Sequence, residues 1–355
     1  MTHTFLSRLL AVCSLAGMLA LAGCGSGSTY DPLQPRRVVA FGDAASAVTD
    51  SVAGVSQYGE AAASVRNTTT SETYTTIATR LGAYYGAVLK PSSAAGLTAT
   101  DHVSYATANA RVADVVAQVN AFLAPGPAID PKDLFIITVG NLDIYDNALA
   151  GNTAIPDATI NALVGAVQSL TDRGAKYVLV VSPINVARTP WALNLNKFKS
   201  DGVTLDSTLT DKDKIQALSY DASATCKSFQ CKLTTQMAAA FPATANGQKV
   251  LLADIQSFFN LVTGTVATGS ADTYPSYGVS NPNTPACTAA STALAAASSA
   301  SPIAGPLTIT GCVNTAADTN WATFAFADYL GLAPRGLAAQ ADYIFGTLMY
   351  RAGWR

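Results

Sequence analysis

The chain has 355 residues, of which 49% are hydrophobic and 12% are charged, and its formal net charge is -2. This composition supplies enough apolar side chains for a sizeable core and excludes an intrinsically disordered chain. The sequence contains no basic run and no alternation of basic with aromatic residues, so we expect no nucleic-acid partner.

Residues 1–23 have the pattern of a processing segment. Arg8 carries a positive charge, and the apolar run at residues 9–19 is too short to span a membrane. The run leads to Leu21-Ala22-Gly23-Cys24, which resembles the lipobox of bacterial lipoproteins, in which the cysteine is acylated. We expect a signal peptide at residues 1–23, a lipid on Cys24 and a tether over residues 24–34. Because Gly25 rather than Asp follows the cysteine, the resemblance implies the outer membrane; an ordinary secretory signal is the alternative.

Four cysteines lie beyond this segment, namely Cys226, Cys231, Cys287 and Cys312. An even number of cysteines in an exported chain predicts disulfides. Three pairings are possible, and we favour Cys226 with Cys231 and Cys287 with Cys312, because each pair closes a loop within one segment. A zinc site is the rival interpretation, but the spacing does not fit one and only His102 remains as an imidazole ligand. We therefore expect neither a metal nor a cofactor.

Apolar periodicity predicts an alternation of strands and helices along the chain. The predicted strands are residues 37–41, 87–89, 134–139, 177–181 and 250–254. The predicted helices are residues 74–81, 112–123, 156–170, about 218–241 and, as the closing element, 324–350. Residues 274–306 are rich in Ala, Ser, Thr and Pro and predict a long surface loop that a disulfide holds.

Solid apolar strands that alternate with helices predict a parallel sheet covered on both faces. Right-handed crossovers then give a doubly wound α/β domain of three layers, α/β/α. We expect this single domain to span residues 35–355. No internal repeat or domain linker interrupts it.

Several short motifs occur along the chain, and both their residues and their order are informative. They are Phe41-Gly42-Asp43 after the first strand, residues 104–111 (SYATANAR), residues 139–143 (VGNLD), residues 277–281 (YGVSN) and residues 326–336 (FADYLGLAPRG). Together they resemble the sequence blocks of the GDSL, or SGNH, hydrolases, a family of secreted esterases and lipases. The resemblance implies a flavodoxin-like fold with a central parallel sheet.

The same resemblance places non-catalytic residues at the family's catalytic positions. Acyl transfer by such a site needs a nucleophilic hydroxyl, a histidine base, an acid that orients the base, and hydrogen-bond donors for the oxyanion. Ala44 stands at the nucleophile position and Gly331 at the histidine position. Leu142 replaces the oxyanion asparagine, and Ala108 with Asn109 replaces the paired glycines. Only Asp328, the triad acid, matches the family pattern.

Four other groups are candidates for chemistry. Ser46 is a substitute nucleophile or a capping hydroxyl, and His102 is a relocated base or a structural histidine. Asp143 and Asp146, with Asp50, are ligands for a hard cation or ordinary solvated and capping carboxylates. Asn141 is a turn residue, or its amide donates a hydrogen bond to a ligand in place of Leu142.

The sequence as a whole predicts a lipid-anchored envelope protein that has an SGNH-hydrolase fold and has lost its esterase machinery. Its vestigial pocket comprises Asp43, Ala44, Asn109, Asn141, Leu142 and Asp328. That pocket would bind a small acyl or glycan ligand, or the domain would act as a scaffold for a protein partner. The alternative is an active carboxylester hydrolase that uses residues outside the family pattern.

Overall fold

The computed structural model describes residues 32–48, 76–107, 109–194, 212–220, 225–242, 249–263, 277–279, 281–285, 324–326 and 330–355. Several residues discussed above therefore lie outside the described part of the chain, namely Cys24, Asp50, Ala108, Cys287, Cys312 and Asp328.

A six-stranded sheet forms the centre of the molecule. Its strands are β1 (Val38–Gly42), β2 (Lys90–Pro91), β3 (Val103–Ser104), β4 (Leu134–Thr138), β5 (Tyr177–Val181) and β6 (Lys249–Ala253). The spatial order is β2-β3-β1-β4-β5-β6, and all neighbours pair in parallel. Every residue of β1 and β4 is buried, as expected for apolar strands covered on both faces. The predicted α/β fold with a central parallel sheet is confirmed.

Helices cover the sheet. They are α1 (Ile77–Tyr84), α2 (Val112–Leu123), α3 (Asn141–Leu149), α4 (Asp157–Asp172), α5 (Pro190–Asn194), α6 (Lys212–Ser219), α7 (Phe229–Ala240), α8 (Gln256–Val262) and α9 (Pro334–Tyr343), with a 3₁₀ turn at Val186–Arg188 and a π-helix at Ile344–Met349. Helices α2, α4 and α7 pack side by side, and α1 packs against α9. The two groups form the outer layers of an α/β/α arrangement, as right-handed crossovers from this strand order require.

Local side chains fix where several helices begin. Thr76 and Thr79 form a reciprocal cap at the start of α1, with a hydrogen bond of 2.8 Å from the Thr76 amide to Thr79 Oγ1. Ser228 accepts a hydrogen bond of 3.1 Å from the amide of Cys231 at the start of α7. Pro334 occupies the first turn of α9, where its missing N–H has no cost.

Four of the predicted segments differ from the structure, and two of them precede β6. The edge strand predicted at residues 87–89 lies instead at Lys90–Pro91, and Val88 is 78% exposed. The helix predicted at residues 218–241 corresponds to the end of α6 and to α7; Cys226 lies between the two helices and forms a disulfide with Cys231 in the first turn of α7. This disulfide is one of the two that the spacing predicts.

The closing segment is also not one helix. Residues Phe324–Phe326 form a short strand, β8, which pairs in parallel with β7 (Asn281–Pro285) in a separate two-stranded sheet. Helix α9 begins at Pro334. Strand β7 also lies within the segment that was predicted as a surface loop. Among the described residues, no helix is long and apolar enough to cross a membrane.

Candidate functional site

The topology of the sheet marks one crevice as the candidate site. From β1 the chain moves to β2 and β3 on one side and then crosses to β4 on the other side of β1. Strands β1 and β4 are adjacent, so their carboxyl ends form the point at which the winding direction reverses. Ligands of open α/β sheets bind at such points. Asp43 and Ala44 follow β1 here, and Gly140 and Asn141 follow β4.

Two glycines allow the backbone to turn sharply at this crevice. Gly42 has a φ of 134°, and a Cβ at this position would overlap the carbonyl oxygen of Thr138. Gly140 has a φ of 116°, and a Cβ there would lie 2.7 Å from the ring of Phe229. Both backbone conformations are strained for any residue with a side chain. The tight turns therefore depend on glycine, which places Ala44 and Asn141 at the rim.

Asp43 is a buried structural carboxylate. Its Oδ1 accepts a hydrogen bond of 3.0 Å from the amide of Ala45 and lies 3.1 Å from the Thr138 hydroxyl. Burial raises the pKa of Asp43 to about 6, although these hydrogen bonds oppose the shift. The side chain thus holds the turn after β1 against the end of β4.

Ala44 is partly exposed at the crevice, and its side chain carries no reactive group. Its amide makes no hydrogen bond within the described part of the chain, whereas the amides of Asp43, Ala45 and Ser46 all do. The residue therefore offers a backbone donor without a nucleophile. An oxyanion hole uses the same kind of donor.

Asn141 is oriented by a residue of the next strand connection. Its Oδ1 accepts a hydrogen bond of 3.0 Å from the amide of Ile184, which follows β5. This bond defines which end of the side-chain amide is the oxygen, so the Nδ2 group is the free end. Within the described residues Nδ2 has no hydrogen-bond partner. Leu142, at the next position, is only 6% exposed and contributes no donor.

Ser46 is not accessible as a nucleophile. The residue is fully buried, and its hydroxyl oxygen lies 2.9 Å from the hydroxyl of Thr138. Its carbonyl oxygen accepts a hydrogen bond of 2.7 Å from the Ser104 hydroxyl. Ser46 therefore ties the turn after β1 to β3 and β4.

His102 lies at the opposite end of β1 from the crevice. Its Nδ1 accepts a hydrogen bond of 3.0 Å from the amide of Val38, the first residue of the strand. Ser46 contacts Thr138, which pairs with Gly42 at the other end of β1. Val38 and Gly42 are four residues apart in the strand, so at about 3.3 Å per residue His102 and Ser46 lie roughly 13 Å apart along β1. Burial lowers the pKa of His102, and the imidazole cannot take a proton from Ser46.

Asp143 and Asp146 have structural partners. Both carboxylate oxygens of Asp143 lie near the amide of Val112, at 3.3 and 3.2 Å, and so cap the start of α2. Asp146 forms an ion pair of 2.8 Å with Arg111. Burial is the main cause that raises the pKa of Asp143 to about 7. Within the described residues no group of three or more His, Cys, Asp or Glu side chains is placed to hold a metal ion.

The other residues of the predicted site are Asn109, Gly331, Asp328 and Ala108, of which the structure describes the first two. Asn109 is exposed, and its carbonyl oxygen accepts a hydrogen bond of 2.8 Å from Arg111. Gly331 lies just before α9, next to the bridge between Phe326 and Leu332. Asp328 and Ala108 lie outside the described residues, so their predicted roles remain predictions.

Two residues that support the crevice were missed by the sequence analysis. Thr138 links Asp43 and Ser46, as described above. Gln118, on α2, accepts a hydrogen bond of 2.7 Å from the amide of Gly42 and donates one of 3.1 Å to its carbonyl oxygen. A polar residue on the apolar face of α2 was the only hint of this role in the sequence.

No protein-family model and no curated protein matches the sequence. Among solved structures, the chain is similar to LAE5, an α/β hydrolase from the metagenome of Lake Arreo, Spain, with 11% identity and a TM-score of 0.32 over 65% of this chain and 81% of that chain. It is also similar to phospholipase A1 from Streptomyces albidoflavus NA297, with 17% identity and a TM-score of 0.30 over 67% of this chain and 85% of that chain. The parallel sheet and its strand order, rather than these distant likenesses, establish the α/β fold.

Proposed function

We propose that this protein is an exported pseudo-esterase, lipid-anchored at Cys24, that binds an acyl ligand at the β1–β4 crevice without hydrolysing it. The observation that carries the proposal is the composition of the rim: two donors that have no protein partner among the described residues, the Ala44 amide and the Asn141 Nδ2, with alanine where a nucleophile would stand. The resemblance of the motif order to that of the SGNH hydrolases supports the proposal, because it also places Ala44 at the position of the nucleophile.

The two donors fit the oxygen of an acyl carbonyl. They follow adjacent strands, and Asn141 also begins α3, whose amino terminus carries a partial positive charge. A carbonyl oxygen of the proposed ligand would accept a hydrogen bond from each group. This arrangement recognises an ester or amide but gives it no nucleophile to react with.

Hydrolysis by substitute residues has little support in the geometry. Ser46 is fully buried, and His102 accepts a backbone hydrogen bond at the far end of β1. In a serine protease, loss of the nucleophile or the base alone lowers kcat about a million-fold. An active carboxylester hydrolase that uses other residues is thus the weaker hypothesis, and labelling by a fluorophosphonate probe would reveal it.

A titration with methyl octanoate tests the binding proposal on the native chain, with Asn141→Asp and Ser46→Ala as variants. Asn141→Asp keeps the acceptor for Ile184 but removes the donor. A neutral hydrogen bond contributes about 0.5–1.5 kcal/mol, so we expect the affinity to fall about 3- to 10-fold. Ser46→Ala should leave the affinity unchanged. Equal affinity of native protein and Asn141→Asp, or no binding at all, would contradict the proposal.

A further inference from the structure

The amino edge of the sheet, where β1, β4 and β5 begin, carries an exposed aromatic surface. Helix α1 begins near the carboxyl edge, since the Ile77 amide donates to the Ala45 carbonyl, and it therefore ends at the amino edge with Tyr84. The ring of Tyr84 stacks on that of Phe345 with centroids 3.9 Å apart. Tyr84 is 40% exposed and Tyr350 is 62% exposed. We call Tyr84, Phe345 and Tyr350 the edge aromatics.

The chain terminus holds these rings in place at the amino edge. The Tyr85 hydroxyl donates a hydrogen bond of 2.8 Å to the Trp354 carbonyl oxygen. The Trp354 indole packs edge-on against Tyr177, the first residue of β5, with centroids 5.3 Å apart. The edge aromatics therefore belong to a packed unit and present an aromatic face, at whose margin the Tyr84 hydroxyl donates a hydrogen bond of 2.6 Å to Asp342, the ion-pair partner of Arg80.

Two basic side chains adjoin this face, and two others lie along the same edge of the sheet. The guanidinium of Arg355 lies 5.2 Å from the Phe345 ring centroid and 5.7 Å from that of Tyr350. Lys132 precedes β4, Arg173 precedes β5, and Arg351 follows Tyr350; all three are exposed. Within the described part of the chain none of these four cations has an ion-pair partner. Aromatic rings with adjacent basic groups match the interface of an anionic bilayer, where rings enter the headgroup layer and cations meet lipid phosphates.

The N-terminal segment enters the domain at the same edge. The described chain begins at Pro32, six residues before β1, whose first residue is at the amino edge. Pro32 lies eight positions after Cys24 in the sequence. Even a fully extended chain of this length reaches at most about 29 Å. A lipid on Cys24 would therefore keep the amino edge close to the bilayer.

We propose that the edge aromatics and the four cations dock the domain on an anionic lipid surface, so that the β1–β4 crevice at the opposite edge faces away from the membrane. This inference rests on the lipid anchor proposed above and adds an orientation to it. The crevice would then take its ligand from the aqueous side of the membrane. The occupant of the aromatic face is the bilayer to which the chain is anchored, rather than a protein.

Depth-dependent quenching of a fluorophore tests this orientation. The full chain is reconstituted through its anchor into vesicles of phosphatidylcholine with phosphatidylglycerol that contain a nitroxide-labelled lipid. A thiol-reactive fluorophore is attached to Tyr350→Cys, or to the matched variant Tyr220→Cys. Tyr220 is 42% exposed and follows Ser219, whose hydroxyl binds the Val186 amide beyond the carboxyl end of β5. The native chain, labelled in parallel, gives the background from its own cysteines.

We expect strong quenching at position 350 and little at position 220. Neutralisation by Arg351→Gln with Arg355→Gln removes two cations, each worth about 1 kcal/mol near an anionic surface, and should lower the equilibrium constant for docking about 30-fold. Vesicles without phosphatidylglycerol should weaken quenching at position 350 in the same way.

Three results would overturn the orientation. Equal quenching at the two positions, or stronger quenching at position 220, contradicts it while leaving the anchor intact. Crosslinking of Tyr350→Cys chains to one another in detergent would assign the face to a second copy. A chain that separates from the vesicles altogether would overturn both the anchor and the docking, whereas the methyl octanoate titration judges the crevice independently.

Discussion

The backbone amide of Ile184, in the segment after β5, donates a hydrogen bond of 3.0 Å to the side-chain oxygen of Asn141 at the start of α3. The bond joins the carboxyl ends of two neighbouring strands. It also fixes the free Nδ2 group of Asn141 at the crevice. One contact thus serves both the local fold and the proposed ligand site.

Substitution of Asn141 should separate these two roles. Asn141→Leu leaves the Ile184 amide without an acceptor, which costs about 1–3 kcal/mol in the free energy of unfolding. Asn141→Asp retains an acceptor and should cost less than Asn141→Leu, although both variants lose the donor for the ligand. Urea denaturation of the two variants beside the native chain measures the difference. Equal stabilities would show that the bond to Ile184 contributes nothing.

Replacement by alanine should lower the stability of the protein at Gly42 and raise it at Gly165. Gly42→Ala forces a side chain into the left-handed region and against Thr138, and it should destabilise the protein by at least about 3 kcal/mol. Gly165 lies within α4, and a Cβ there meets nothing within 4 Å. Gly165→Ala should therefore stabilise by about 0.5–1 kcal/mol. Thermal unfolding of both variants tests this, and a tolerated Gly42→Ala would contradict the geometry of the turn.

Stability should fall as the pH rises from about 4 to about 7. Burial raises the pKa of Asp43 from 3.8 to about 6 and that of Asp143 from 3.8 to about 7. The folded state then binds protons more tightly than the unfolded state within this window, so each step upward in pH favours unfolding. For Asp43 alone, the difference in pKa between the unfolded and folded states corresponds to on the order of 3 kcal/mol in the free energy of unfolding.

Neutral variants check this pH dependence. Asp43→Asn with Asp143→Asn should flatten the curve of unfolding free energy between pH 4 and pH 7. Asp101→Asn is the control, because the hydrogen bond from Lys90 is the main cause that lowers the pKa of Asp101 to about 2, below the window. A native curve that rises with pH in this range would contradict the assignment of both carboxyls.

The short loop between Cys226 and Cys231 allows one further prediction. The disulfide joins cysteines separated by 5 positions in the sequence. In the chain-entropy model, loss of so short a crosslink costs about 2 kcal/mol. Cys226→Ala with Cys231→Ala should lower the unfolding free energy by that amount, and chemical denaturation measures it. An unchanged midpoint would mean that the start of α7 is held by packing and its Ser228 cap alone.

The long apolar runs were sufficient to predict the main strands, because β1, β4 and β5 are buried on both faces and need no polar alternation. The edge strand β6 keeps an apolar run although its residues 250–252 are only partly buried. The other edge strand, β2, was misplaced for the opposite reason. The strand Lys90–Pro91 has 2 residues, which are too few to show an apolar periodicity. The apolar Val88, on which the prediction relied, is exposed. Likewise, the prediction of one helix at residues 218–241 missed the break between α6 and α7, in which Cys226 lies.

The candidate site was predictable only in part. The turn after β1 could be recognised from Gly42-Asp43, but the burial of Ser46 depends on Thr138 and Ser104, which lie far along the chain. The orientation of Asn141 likewise depends on Ile184, 43 residues away. Such contacts arise from the register of neighbouring strands, which a single sequence does not encode locally.

Hydrolysis of p-nitrophenyl esters with short and medium acyl chains tests the central claim most directly. The native chain is compared with Ala44→Ser combined with Gly331→His, and with Ser46→Ala and His102→Ala. We predict that the native chain gives no hydrolysis above the buffer rate, whereas restoration of serine and histidine gives measurable turnover. Native turnover that Ser46→Ala or His102→Ala abolishes would contradict the account and assign catalysis to a relocated site.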